Sequence, residues 1–189
     1  MVLDREGFRE WLTANHDTES ECYLLVNKSK KDDGTLPYVD AVEEALCFGW
    51  IDSTHKKGDD GRRYQRFSPR RHGSRFTRLN LARCERMERL GLMTEYGRAV
   101  LPDKGYRVDR YILARIKKDP ELVENILKFP QLYVEVRIDN IQYLRKEDPK
   151  LYKKRMKKFI DNTREGKMYG DWDDDGRLRH EPLFTFPLK

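Results

Sequence analysis

The feature that most restricts the fold is a pair of strand-like segments joined by a short polar turn. Residues 51–57 and 62–68 flank the loop GDDG (58–61), which ends in the Asp-Gly signal typical of a β-hairpin. Pro69 follows at once, and it has no N–H to donate to a ladder of strand hydrogen bonds. The sequence therefore predicts a β-hairpin at about 51–68 that leaves the sheet at Pro69.

The second strand of this hairpin carries arginine on both faces. A two-residue period assigns alternate side chains to opposite faces, with Tyr64, Arg66 and Ser68 on one face and Arg63, Gln65 and Phe67 on the other. At least one face must be exposed, because arginine is rarely buried without a partner.

Positive charge is concentrated around the hairpin. Residues 53–83 contain ten basic and two acidic side chains, a net charge of +8, whereas the whole chain carries only +6. Charge packed in this way repels itself on folding, so it is either neutralised by the protein's own carboxylates or kept for an anionic partner.

Composition indicates a folded chain. Hydrophobic residues make up 38% of the 189 positions and aromatic residues 11%, which argues against disorder despite 38% charged residues. No apolar run approaches the roughly 18 residues of a membrane span, and acidic residues stand where a signal peptide needs a hydrophobic segment. We expect a cytoplasmic protein without membrane insertion.

The three cysteines indicate neither a disulfide framework nor a zinc site, since they are widely spaced and odd in number. Cys22, Cys47 and Cys84 each lie in or beside an apolar segment, and only four histidines are available as further ligands. We expect them to be small buried hydrophobic side chains, and we predict no metal and no cofactor.

Helical periodicity dominates the remaining sequence. The pattern predicts a strand at 22–27 and helices at 4–15, 39–49, 74–90, 94–101, 111–116, 119–128, 130–144 and 148–164. Asp4, Ser74 and Thr94 are expected to cap three of these helices, and Asp-Pro pairs at 119–120 and 148–149 begin two more.

These elements predict an α+β fold that is mostly helical with a small antiparallel sheet. We expect residues 1–102 to form an α+β core and residues 103–189 to form a helical C-terminal subdomain. The two parts are expected to pack as one structural unit.

Four short runs lie close together around the hairpin. They are ALCFGWIDS (45–53), YQRFSPRR (64–71), S-R-F-T-x-x-N (74–80) and G-x-M-T (91–94). Their combination resembles the YdeI/OmpD-associated family, also described as bacteriocin-protection proteins, with departures at Ser53 and Phe76, where that family commonly has glycine and tryptophan. The resemblance implies a link to antimicrobial-peptide resistance and envelope stress, and it brings no established reaction.

Nine side chains in and beside the hairpin form the candidate ligand-binding set. They are Trp50, Asp52, His55, Tyr64, Arg66, Arg70, Arg71, Arg75 and Arg78. The planar fork of arginine suits phosphate or carboxylate, and the aromatic rings suit stacking on bases or flat ligands. The alternative is that Arg70 and Arg71 pair with Asp52 or Glu43, and that the aromatic residues belong to the core.

A catalytic cluster is a second interpretation of the same segment. It would use Asp52, His55 and either Cys47 or a nearby serine. A regular strand places Asp52 and His55 on opposite faces, and Cys47 lies in an apolar helix. His55 and His72, beside arginines, suit proton donation to a bound anion.

Two features near the C-terminus have competing interpretations. The run DWDDDG (171–176) matches the first half of a calcium loop, but position twelve is Pro182 and the nearest glutamate is Glu181, so a structural turn is favoured.

Residues 148–164 combine an apolar stripe with lysines, which fits a core-packed helix better than a membrane-surface or partner-binding element.

The sequence therefore predicts an anion-binding module for a phosphate-bearing ligand or nucleic acid, linked by the resemblance to stress and bacteriocin protection. One alternative is an enzyme acting on a small phosphorylated or carboxylated substrate held by the same arginines. Another is an adaptor for an acidic protein surface. A deep pocket beneath Trp50 and Phe67 favours the enzyme, whereas a shallow positive stripe favours nucleic acid. The sequence does not indicate an oligomeric state.

Overall fold

The fold comes from a computed structural model that describes residues 1–29, 31, 33–179 and 182–187. The chain divides into two compact units. The first comprises Met1–Phe76 with Arg83–Asp103, and the second comprises Thr77–Ala82 with Lys104–Lys189.

The elements confirm the predicted α+β class. The first 103 residues contain α1 (Arg5–Asn15), β1 (Cys22–Leu25), α2 (Tyr38–Cys47), β2 (Trp50–Lys57), β3 (Arg63–Pro69), α3 (Arg78–Arg89) and α4 (Glu95–Ala99). The later residues contain α5 (Arg110–Lys117), α6 (Pro120–Ile126), α7 (Gln131–Gln142), α8 (Leu144–Glu147) and α9 (Pro149–Arg164). Among the described residues, no helix is long and apolar enough to span a membrane.

Four of the predicted helix caps are confirmed by hydrogen bonds. The side chain of Asp4 accepts from Gly7 N, and that of Thr94 accepts from Gly97 N. The side chains of Asp119 and Asp148 accept from the third residue of α6 and of α9, and proline is the first residue of each helix.

The predicted β-hairpin is confirmed and forms part of a three-stranded antiparallel sheet in the order β1-β3-β2. The sheet extends one residue further than expected at one end, because Pro69 is still paired with Trp50. Proline is tolerated at the last position of a strand, where its missing N–H breaks no interior ladder bond.

The helix predicted from Ser74 begins later, at Arg78. Ser74 instead belongs to a turn, in which its N–H donates to the Arg71 carbonyl and Gly73 has φ of +72°. The Ser74 hydroxyl accepts from Arg70 Nη2 at 3.2 Å. Because the Ser74 side chain bonds within the preceding turn, it does not cap the following helix. The predicted start of that helix was therefore wrong by four residues.

Aromatic packing builds the core of the first unit between α1 and the sheet. The Phe8 and Phe67 rings are 5.4 Å apart, and the Trp11 and Trp50 rings are 5.7 Å apart. Phe8, Phe67 and Trp50 are at most 1% exposed. Burial of such rings stabilises the fold by several kcal/mol, on the order of 1.5–3 kcal/mol for each side chain.

The second unit has a core of its own, drawn mainly from α5, α6, α7 and α9. Its fully buried side chains include Ile112, Ile116, Ile126, Leu132, Tyr133, Ile138, Met156 and Phe184. The helix over 149–164 therefore packs its apolar stripe inward and leaves its lysines in water, as the favoured interpretation of that helix predicts.

The prediction that the three cysteines are buried is confirmed. Burial is the main cause that raises the pKa of each thiol from 9.0 to about 12. Cys22, Cys47 and Cys84 are therefore protonated near neutral pH and are not activated nucleophiles.

Labelling of the folded protein with iodoacetamide near neutral pH is expected to be at least about a hundredfold slower than labelling of the denatured chain, because the thiolate is the reactive form. Counting modified thiols by mass spectrometry over time measures this difference. Rapid modification of any one cysteine before unfolding would contradict its burial.

Candidate functional site

The segment that follows β3 forms a loop rich in arginine. We call residues Arg70–Phe76 the arginine loop; it belongs wholly to the first unit. The loop is anchored where it leaves the sheet, because Arg70 N donates to the Gly49 carbonyl at 2.9 Å. Gly49 itself has φ of +74°, as expected for the glycine that ends α2.

Arg70 is the most constrained cation of the arginine loop. Its guanidinium carbon lies 3.6 Å from the centre of the Phe76 ring, and Nη2 donates to Ser74 Oγ and to the Arg75 carbonyl at 2.9 Å. Its Nε is buried and has no hydrogen-bond partner within the described part of the chain. Burial lowers the pKa of Arg70, and nearby Cys84 and Asp52 only partly offset this effect.

The carboxylates proposed as internal partners for Arg70 and Arg71 are engaged elsewhere. Asp52 Oδ2 accepts from the Tyr38 hydroxyl at 2.7 Å, and Glu43 pairs with other arginines. The hydrogen bonds of Arg70 go to neutral oxygens, whereas Arg71 is exposed to water. The internal-pairing alternative does not describe Arg70.

A second group of cations and aromatic rings lies on one face of the sheet. We call this the outer face; it carries Tyr23, Lys56, Tyr64 and Arg66, which the strand register places on the same side. Lys56 Nζ lies 3.6 Å from the centre of the Tyr23 ring. Arg66 Nε donates to Glu21 Oε2 at 2.5 Å, and its Nη1 donates to Ser53 Oγ at 3.0 Å.

Tyr64 is held at the turn end of the outer face. Its hydroxyl donates to Asp60 Oδ2 at 2.7 Å, and Arg62 Nε donates to the same oxygen at 2.6 Å. The hydrogen bond from Tyr64, followed by those from Arg62, lowers the pKa of Asp60 to about 2. Within the basic residues 53–83, Arg62 is therefore neutralised by a carboxylate of the protein itself.

Two buried members of the predicted binding set, Trp50 and Arg78, lie away from these surfaces. Trp50 is 1% exposed, and its Nε1 donates to the His16 carbonyl at 3.0 Å, so it is a core residue and does not stack on a ligand. Arg78 belongs to the second unit, where it is 6% exposed and its Nε donates to Glu135 Oε2 at 2.5 Å. Burial and pairing exclude both from an exposed anion site.

The expected opposite orientation of Asp52 and His55 is wrong. Asp52 pairs with Phe67, and His55 pairs with Gln65. The step of three residues from Asp52 to His55 on β2 therefore matches a step of only two residues on β3, which is a β-bulge. Because of the bulge, Asp52 and His55 lie on the same face of the sheet as Phe67 and Gln65. Gln65 Nε2 donates to the carbonyls of Ser53 and Thr54, which satisfies the bulged backbone.

The bulge does not bring Asp52 and His55 into a catalytic pair. Asp52 accepts from Tyr38, whereas His55 Nε2 lies 3.4 Å from Arg63 Nη1 and is exposed. Cys47, the proposed nucleophile, is buried with its pKa raised. These positions give no hydrogen-bonded chain from nucleophile to base.

Sequence reasoning missed a buried ionic cluster in the first unit. We call it the carboxylate cluster; its members are Asp40, Glu43 and Glu44 of α2, Arg5 and Arg9 of α1, and Arg86 of α3. Glu43 is 0% exposed and Glu44 is 2% exposed. The available signal was a pair of glutamates inside an apolar helix, together with two arginines four residues apart on a predicted helix.

The acidic run at 171–176 forms a structural turn. Asp173 Oδ2 accepts from Arg179 Nε at 2.5 Å, and its carbonyl accepts from Gly176 N and Leu178 N. In the described residues, no group of three or more histidine, cysteine, aspartate or glutamate side chains could hold a metal ion. Glu181, the nearest glutamate in the calcium pattern, lies outside the described residues.

The chain belongs to the family described as Domain of unknown function (DUF8412), whose profile matches residues 1–100. This match spans α1 to α4 and includes both the arginine loop and the outer face. No curated protein and no solved structure matches the chain.

Proposed function

We propose that the first unit binds a phosphate-bearing ligand through the arginine loop. The observation that carries the proposal is Arg70, a half-buried guanidinium whose hydrogen bonds go to neutral oxygens and whose Nε lacks a partner in the described chain. A desolvated cation is costly, and an anion that accepts from it offsets that cost. Phosphate suits the planar guanidinium because it can accept two parallel hydrogen bonds.

Residues close to Arg70 in the sequence supply further positive charge. Arg71, His72 and Arg75 are exposed to water, and the turn at Gly73 holds the segment in a compact form. Phe76 orients the Arg70 guanidinium through its ring face. The ligand would meet one constrained arginine, Arg70, and the exposed side chains of Arg71 and Arg75.

Nucleic acid is the ligand class that the outer face favours. Tyr23 and Tyr64 are half-buried rings beside Lys56 and Arg66, and proteins that bind single strands combine such rings with cations. The ion pair of Arg66 with exposed Glu21 contributes little to stability, so a phosphate can replace the carboxylate.

A cytoplasmic role in stress or bacteriocin protection is part of this proposal. It is supported by the resemblance to the YdeI/OmpD-associated family and by three unpaired, buried thiols, which fit a reducing compartment. The proposed role is the binding of an intracellular anion during envelope stress.

The packing weighs against the enzymatic alternative. A deep pocket beneath Trp50 and Phe67 would favour an enzyme, but the rings of Trp11 and Phe8 pack against these two side chains. An adaptor for an acidic protein surface would use the same exposed cations. The oligonucleotide and pyrophosphate binding experiment below distinguishes this alternative from the proposal.

The Arg70→Ala variant is expected to bind labelled oligonucleotides at least about tenfold more weakly, because one charge-assisted contact to phosphate is lost. Fluorescence anisotropy of single- and double-stranded oligonucleotides at several salt concentrations measures the affinity. The slope of log affinity against log salt is expected to fall by about 0.7–0.9 for each phosphate contact removed.

Arg71→Ala and Arg62→Ala complete this experiment. Arg71 is exposed, so its variant tests the arginine loop without disturbing its packing, whereas Arg62 is already neutralised by Asp60 and serves as the matched control. Equal weakening in all three variants would indicate non-specific attraction. An absence of oligonucleotide and inorganic pyrophosphate binding at low salt would refute the proposal and leave the adaptor alternative.

A further inference from the structure

The second unit contains an arginine that is covered by its own chain. Arg137 lies on α7, and its Nη2 donates to the Asp171 carbonyl at 2.7 Å. Gly170 has φ of +69°, and a Cβ built there would lie 2.6 Å from Arg137 Nη1. A side chain at position 170 would force the Arg137 guanidinium to shift, and the positive φ also favours glycine there.

Two buried donors near this crossing have no acceptor among the described residues: Arg137 Nε and the hydroxyl of Tyr133, although the backbone N–H of Tyr169 lies near that hydroxyl. The two residues lie one helical turn apart, with the Arg137 guanidinium 5.9 Å from the centre of the Tyr133 ring. Tyr133 is 0% exposed. Buried polar groups without partners are uncommon in folded proteins and indicate an absent water, ion or ligand.

Burial affects the pKa of both groups. It lowers the pKa of Arg137, against the opposing effects of Tyr169, Tyr133 and Asp171. It also raises the pKa of Tyr133 to about 12, and the nearby backbone N–H of Tyr169 offsets only part of that rise. Tyr133 is therefore a neutral donor, and Arg137 is a charged donor without full solvation.

Two cations lie against the ring of Tyr169. The Arg137 guanidinium lies 5.3 Å from the centre of that ring and Lys158 Nζ lies 4.5 Å from it. Arg155 is close enough to lower the pKa of both Arg137 and Tyr169, and its Nη1 donates to the Asn140 carbonyl at 2.7 Å. These hydrogen bonds of both arginines go to neutral carbonyl oxygens, and the charge of Asp171 offsets the burial of Arg137 only in part.

We propose that Arg137 and Lys158 form a second anion site that holds the phosphate group of a small molecule, with Tyr133 as an additional donor. Arg137 Nε and the Tyr133 hydroxyl would donate to the phosphate oxygens, and Lys158 would close the site from the solvent side. Water could satisfy the two donors, but a phosphate also matches the positive charge of Arg137 and Lys158. No residue of this site is shared with the arginine loop.

Inorganic pyrophosphate is the probe for this site in the full-length protein. Its addition is expected to shift and sharpen the Arg137 Nε–H resonance in nitrogen-15 NMR spectra, because that proton gains an acceptor. Titration calorimetry on Lys158→Ala is expected to show affinity reduced about tenfold, the effect of one lost charge-assisted hydrogen bond. Lys158 is exposed, so its removal leaves the packing of α9 intact.

Two controls separate this site from the alternatives. Lys154→Ala removes an exposed lysine from the same helix and is expected to leave affinity unchanged. Arg71→Ala removes a cation of the arginine loop and is expected to leave the Arg137 resonance response unchanged. Equal loss in Lys154→Ala, or an Arg137 Nε–H signal that does not respond to millimolar pyrophosphate, would overturn the proposal, whatever the oligonucleotide experiment shows.

Discussion

Replacing Glu43 by alanine is expected to lower the free energy of unfolding by about 3 kcal/mol, since the variant removes the buried carboxylate that pairs with Arg5 and Arg86. Glu43 is fully buried; it accepts a hydrogen bond from Arg86 at 2.7 Å and forms an ion pair with Arg5 at 3.1 Å. Because both arginines are partly exposed, the expected loss of stability lies near the lower end of the range for breaking a buried ion pair. Urea unfolding followed by circular dichroism measures the change.

Glu88→Ala is the matched control for this prediction. Glu88 pairs with Arg98 at 2.8 Å, but both side chains are about half exposed, so the expected loss of stability is much smaller than for Glu43→Ala. Added salt should reduce the effect of Glu88→Ala more than that of Glu43→Ala, because screening acts mainly on exposed pairs. A Glu43→Ala loss no larger than the control would show that the carboxylate cluster does not stabilise the fold.

Replacing Gly97 by alanine is expected to destabilise the protein by about 3 kcal/mol, although the same change in an exposed helix stabilises by up to about 1 kcal/mol. A Cβ at this position of α4 would lie 2.3 Å from the Cys47 carbonyl oxygen and 2.8 Å from that of Leu46. These atoms belong to the backbone of α2 and cannot rotate away. The substitution must therefore push α4 from the end of α2.

The displacement would also break the contacts of Thr94. Its backbone N–H and its hydroxyl both donate to the Cys47 carbonyl. Gly105→Ala is the control, since a Cβ there meets nothing within 4 Å. Thermal unfolding of the two variants measures the difference, and equal melting temperatures would mean that α4 accommodates the methyl group without cost.

Much of the fold was predictable because its signals are local. Asp4, Thr94, Asp119 and Asp148 each cap a helix through a hydrogen bond to a residue three positions later. The hairpin turn at Gly58-Gly61 is equally local, since Gly58 N and Gly61 N bond within the loop and its flanks. Ser74 shows the limit of this reasoning, because Arg70 competes for its hydroxyl.

The candidate site was predictable in composition and less so in geometry. The basic segment and the alternation along β3 indicated where cations would lie, and the buried Gln65 and Phe67 confirm the two faces. The bulge between Asp52 and His55 left no clear signal in the sequence, because it depends on Gln65 from the opposite strand satisfying two carbonyls. Trp50 looked like a ligand-stacking ring because periodicity does not separate a core face from a binding face.

The sequence by itself determined the helix caps, the hairpin turn and the concentration of charge, since each depends on residues a few positions apart. Only the tertiary structure decided which charges are neutralised. Arg66 meets Glu21 across 45 positions, Arg86 meets Glu43 across 43, and Arg5 meets Glu44 across 39. Whether a cation is paired inside the protein or kept for a ligand depends on desolvation and distance, which exist only once the chain has folded.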